Sequence, residues 1–172
     1  MSSLHTDLLQ QAKDLLNKEP KRPRQASLRR AVSDAYYALF HLLTDEATRL
    51  LVSGNSPERQ HLRQWLRRAF AHNTMKSVSN SFSQRQLPEQ LRRAGAGTDV
   101  PADLRQVAQA FVDLQQARHV ADYDHLHNYT RNNARDYVQQ AEQAFAAWRR
   151  VKRTPLADVY LVALLAQGNV RG

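Results

Sequence analysis

Apolar residues recur at helical spacing through most of the chain, and the breaks between the runs are well marked. Leu104, Val107, Ala108, Phe111 and Leu114 follow the three-and-four spacing of a core-facing stripe. Ala134, Val138, Ala141, Phe145 and Trp148 repeat the pattern further on, and Leu62, Trp65, Leu66 and Ala69 share one face of an earlier run. A first helix is predicted from Ser3 to Asn17, ending at the basic loop "NKEPKRPR". Ser27 is the predicted N-cap of a long second helix, "SLRRAVSDAYYALFHLLTDEATRLL". Gly54 and Asn55 close it, and Ser56 caps a third helix with Pro57 at its first position. That helix fades through "HNTMKSVSNSFS", and an irregular stretch from Gln84 to Pro101 includes a "GAGTDVP" loop. Asp99 or Pro101 starts the fourth helix, a fifth begins near Asn132, and Thr154 with Pro155 opens a short apolar last helix closed near Gly168. No strand-like alternation is long enough to build a sheet, and there are no repeats. The expectation is a single all-α domain over residues 1–172, an antiparallel bundle of five to six helices with its core between about 8 and 150.

Two stripes interrupt this plain picture. In "QQARHVADYDHLHNY", Arg118, Asp122 and His125 continue the line of the Leu104–Leu114 stripe, within roughly 40° of its centre if the helix persists. On the second helix, Arg30, Asp34, Tyr37 and His41 stack within about 60° of one another. Ala31, Ala35, Leu39 and Leu42 cover the opposite side, while Tyr36, Phe40 and Leu43 make nearly all the remaining circumference apolar. Such a helix is central, so its polar strip must meet other polar groups. Facing the two stripes would pair Arg118 with Asp34, and Asp122 with Arg30 or Tyr37. The outcome is either an ion-pair network that fixes helix register or a polar cleft that handles phosphate.

Charge favours a polyanion. The formal net charge is +9, and twenty of the 25 basic residues are arginine, the side chain whose planar fork matches phosphate. They cluster at "KRPR", at Arg29 and Arg30, at Arg67 and Arg68, at Arg92 and Arg93, and in "RRVKR" from Arg149. Arg29, Arg67 and Arg68 are taken as candidate nucleic-acid contacts, with RNA the expected partner. No cysteine is present, which excludes disulfides, thiolate metal sites and a cysteine nucleophile. "DYDHLH" offers Asp122, Asp124, His125 and His127, but the helical His pair at i, i+4 is missing, so no metal is expected. "GAG" at Gly95 to Gly97 lacks the Lys and Ser/Thr of a phosphate loop, and no cofactor is expected. The opening "MSSLHTDLLQQAKDLL" is mixed and amphipathic, and "LADVYLVALLA" is too short to cross a bilayer, so a cytoplasmic protein without membrane contact is expected.

"SLRRAVSDAYYALFHLL", followed later by "RHVADYDH", resembles the HEPN family of small helical-bundle proteins from toxin–antitoxin and abortive-infection systems. That family carries an arginine, usually followed by Asn, Asp or His, and then a histidine after four to six intervening residues. Arg118, His119 and His125 fit it, and Arg118, Ala121, Asp122 and Tyr123 match an R-x-x-A-D-Y variant. The resemblance covers roughly Leu8 to Trp148. A second match, Arg67 to His72, diverges by about 140° on an unbroken helix, whereas residues seven apart differ by about 20°.

The resemblance implies metal-independent RNA cleavage, in which the 2′-OH attacks the neighbouring phosphate to leave a cyclic phosphate and a 5′-OH. His125 would act as base or acid, Arg118 would stabilise the phosphate charge and His119 would assist, with Asp122, Tyr123, Arg30, Asp34, Tyr37 and His41 in support. It also implies a homodimer that brings two such motifs face to face, and an antitoxin or nucleotidyltransferase partner. Asp122 is a departure. It either neutralises Arg118, making the chain a non-catalytic binding or regulatory module, or orients His125.

Overall fold

The computed structural model describes residues 2–93, 97 and 99–167. Among the described residues there are eight helices: α1 (Leu4–Asn17), α2 (Gln25–Leu51), α3 (Pro57–Arg67), α4 (His72–Phe82), α5 (Glu89–Leu91), α6 (Ala102–Tyr123), α7 (Arg131–Val151) and α8 (Pro155–Ala166). The fold is all-α, as the patterning predicts; among the described residues, extended backbone pairs only in an isolated antiparallel bridge between Gln86 and Asp99. Two elements exceed the predicted five or six. What reads as a fading third helix is broken: Arg68, Ala69 and Phe70 turn back onto carbonyls three residues earlier. Ala71 is then extended, and α4 starts afresh at His72. The other addition, α5, is a single turn.

Local chemistry sets most boundaries where expected. Ser56 Oγ accepts from the Arg59 amide behind Pro57, and Thr154 Oγ1 accepts from the Ala157 amide behind Pro155. Gly54, at φ 91°, takes the left-handed conformation that lets the chain turn from α2 towards α3. α2 differs by starting two residues before Ser27, whose hydroxyl donates to Glu19 instead of capping the helix. Gly95 and Gly168, read as a loop and a helix stop, lie outside the described residues.

The chain divides into two compact units, Met1–His41 with Ala110–Ala146, and Leu42–Gln109 with Ala147–Gly172. In the first unit, Leu9 and Leu16 of α1, Leu28, Val32 and Leu39 of α2, Phe111 and Leu114 of α6, and Val138 and Phe145 of α7 are buried. Each such side chain contributes about 1.5–3 kcal/mol on leaving water. Polar ties fasten its loops. Gln25 donates to the Tyr129 carbonyl at 2.7 Å and accepts from the Tyr129 amide at 2.9 Å. Arg131 holds the carbonyls of Pro20 and Glu19.

The second unit buries Met75, Val78 and Phe82 of α4 with Leu156, Tyr160, Leu161 and Leu164 of α8. The Tyr160 ring lies 4.9 Å from that of Phe82, and its hydroxyl meets Ser79 Oγ at 2.8 Å. The apolar last helix is therefore a core element. The face of α3 holding Leu62 and Trp65 is not: Trp65 is 67% exposed, and the buried residue of α3 is Arg63.

Candidate functional site

The predicted polar site lies within the first unit, and α2 does turn towards α6, but with different partners. Arg118 pairs along its own helix with Asp122, Nη1 to Oδ2 at 3.4 Å. The other carboxylate oxygen of Asp122 accepts from Ser33 Oγ of α2 at 2.6 Å. The Arg118 guanidinium lies over two rings of α2, 5.3 Å from the centroid of Tyr36 and 5.9 Å from that of Tyr37. This is cation–π geometry on part-desolvated aromatics. Only 13% of the Arg118 side chain is exposed, and its Nε is buried without a hydrogen-bond partner among the described residues. Burial pushes the Tyr36 phenol well above its ordinary pKa, against the lowering influence of the Arg118 charge, so it is neutral at every physiological pH.

The expected Arg118–Asp34 and Asp122–Arg30 pairs do not form. Arg30 instead reaches Asp34 one turn along α2, Nε to Oδ1 at 2.9 Å. Asp34 has no exposed surface while Arg30 is 60% exposed, and neither Asp34 oxygen makes a well-aligned hydrogen bond. Burial raises the Asp34 pKa, against the lowering influence of Arg30 and Gln11. The physical reason for the exchange is rotation. The face of α2 that meets α6 runs through Arg29, Ser33, Tyr36 and Tyr37, about 100° round from the Arg30–Asp34 line.

Arg29, a predicted nucleic-acid contact, has a structural task in the fold. Its Nη1 donates to the carbonyls of Ala121 at 2.8 Å and Asp124 at 2.9 Å, and its Nη2 donates to that of His127. It thus satisfies carbonyls at the C-terminal end of α6 and in the turn that follows. Asp124 Oδ1 completes the turn by accepting from the amides of Leu126 at 3.0 Å and His127 at 3.2 Å.

That turn overturns the alignment of Arg118 with His125. α6 ends at Tyr123, so His125 sits beyond the helix, exposed, and seven-residue spacing carries no angular meaning there. The converse holds for Arg67 and His72, which flank the α3–α4 break and so escape the 140° objection to that pair. Arg67 is paired with Asp45, and Arg68 is exposed. His119 and Tyr123 lie against one another with tilted rings, centroids 5.0 Å apart, on the exposed side of α6. His41 lies against the rings of Phe40, at 5.3 Å, and Tyr37, at 6.4 Å.

Ser33 and Tyr36 are the contacts that pattern reading missed as site residues. Their signal was present: with Arg29 they fall at i, i+4 and i+7 of one α2 face. Among the described residues, no group of three or more His, Asp or Glu could hold a metal ion, and no helix is long and apolar enough to cross a membrane. Compared with models of protein families, with curated proteins and with solved structures, the chain matches none.

Proposed function

We propose that the chain is a HEPN-like, RNA-directed binding module whose R-x-x-A-D-Y segment works as an interhelical latch and not as a catalytic centre. The observation that carries this reading is the state of Arg118. A guanidinium that already faces a carboxylate and two aromatic rings, with most of its surface covered, is poorly placed to neutralise a phosphorane. The carboxylate also cancels the charge that a transition state would need. RNA binding then falls to the arginine-rich surface, consistent with the net charge of +9. The test is to incubate the purified chain with cellular RNA in EDTA while measuring binding over a salt series. Expected are salt-weakened binding and intact RNA. Cleavage that disappears in both Arg118→Ala and His125→Ala would overturn the reading.

The second reading, a metal-independent endoribonuclease of a defence system, draws on one feature. His119, His125 and His127 are all exposed at the C-terminal end of α6. Histidine is the side chain suited to moving protons near neutral pH, and a homodimer would double their number.

A further inference from the structure

The second unit holds a groove of about 570 Å³ along α3, within the size range of small-ligand sites. Its lining is cationic and amide-rich: Arg49, Arg63 and Arg67, with His61, Gln60 and Gln64, and no carboxylate. Gln60, Arg63, Gln64 and Arg67 fall within about 100° on one face of α3, opposite the exposed Leu62 and Trp65, with His61 at its edge.

The three guanidiniums are held in place by protein groups. Arg63 is 94% buried by virtue of its 6% exposure, and its Nη1 donates to the carbonyls of Val52 at 2.9 Å and Gly54 at 2.6 Å. Asp45 draws in the other two: Oδ2 accepts from Arg49 Nε at 2.8 Å, and Oδ1 accepts from Arg67 Nη2. Glu46 faces Lys152, 3.9 Å away. Glu46 also acts on Arg49, so Asp45 and Glu46 stand against three guanidiniums and Lys152, which leaves the groove with surplus positive charge. These contacts restrict the arginine side chains before any anion arrives, so part of the ordering that binding requires is already done in the free protein.

We propose that this groove is a phosphate-binding site for a ligand that carries adjacent phosphates. Arg49 and Arg67 present donors left over from Asp45, Arg63 supplies fixed charge, and Gln64 offers a neutral donor, with Gln60 keeping one amide hydrogen beyond its bond to the Asn55 carbonyl at 2.9 Å. The same chemistry fits the phosphate chain of a nucleotide and the backbone of a nucleic-acid strand. The assignment does not rest on the HEPN-like reading, since it concerns other residues and a different unit.

Calorimetric titration of the full chain with inorganic pyrophosphate in low-salt buffer tests it, beside a parallel titration with a single-stranded oligonucleotide lacking terminal phosphates. Saturable pyrophosphate binding identifies a small phosphate ligand as sufficient; binding of the oligonucleotide alone identifies a strand. Arg49→Gln with Arg67→Gln is expected to weaken binding about tenfold or more. The charge-matched pair Lys21→Gln with Arg22→Gln, exposed in the loop before α2, should weaken it by less than about twofold. Gln64→Glu, on an exposed α3 position that keeps the ion pairs intact, should abolish it. Absence of saturable binding by either ligand overturns the proposal. So does equal weakening in the two charge-matched pairs.

Discussion

Replacing Arg118 with alanine should destabilise the first unit whether or not any ligand is present. The cost follows from three contacts. Two cation–π faces, at 5.3 and 5.9 Å, contribute about 0.5–1 kcal/mol each at this partial burial. The Asp122 pair, at 3.4 Å with Asp122 one-third exposed, adds no more than about 0.5 kcal/mol after screening. The covered aliphatic stem supplies the remainder. The total is about 2 kcal/mol, or roughly 4–8 °C in Tm for a chain of this size. Urea unfolding of Arg118→Ala and Arg118→Met reads it, because methionine keeps the stem and loses the charge. A cycle with Asp122→Asn should return a coupling near the screened ion-pair value. An Arg118→Ala variant that unfolds within about 0.5 kcal/mol of the parent while its affinity for RNA falls about tenfold would refute the structural role. In that event the guanidinium serves a ligand, and its contacts in the free protein are incidental.

Other consequences are equally concrete. Arg29→Ala, which strips donors from three carbonyls, should cost about 2–4 kcal/mol and speed hydrogen exchange in the 124–127 turn; unchanged exchange would remove its capping role. Because the folded pKa of Asp34 is raised, its penalty is absent below the ordinary carboxyl range and grows as pH rises through the folded value. Asp34→Asn should therefore gain stability relative to the parent as pH climbs from about 4 towards neutrality; a loss that grows with pH would show that the Arg30 pair dominates. Tyr160→Phe should cost about 1–2 kcal/mol in thermal unfolding, since it leaves the buried Ser79 hydroxyl without its partner, and an unchanged Tm would contradict that.

Helical class, the caps at Ser56 and Thr154 and the core stripe of α6 were legible because each depends on residues close in sequence. The break before α4 was not, since Ala71 and His72 carry no glycine or proline to announce it. The site was half legible. That α2 and α6 meet through polar groups followed from an arginine, an aspartate and a histidine continuing an apolar line. Which groups meet depended on a rotation of about 100°, one residue, which tertiary packing decides. Pairing by charge alone favoured Arg118 with Asp34, whereas the hydroxyl of Ser33 and the ring of Tyr36 took those places. His125 was misplaced for a nearer reason: Asp124 and Arg29 end the helix, and only the first of these lies in the same segment.

The arginine Nε–H spectrum of the chain, recorded with and without saturating RNA and assigned through Arg118→Lys, is the most direct test of the latch. The Arg118 Nε–H is buried and its guanidinium is committed to Asp122, Tyr36 and Tyr37. Its resonance should be protected from solvent and stay in place on RNA binding, while signals from exposed arginines move. A shift of the Arg118 resonance that saturates with RNA would show the side chain leaving the latch for phosphate, and would contradict the account.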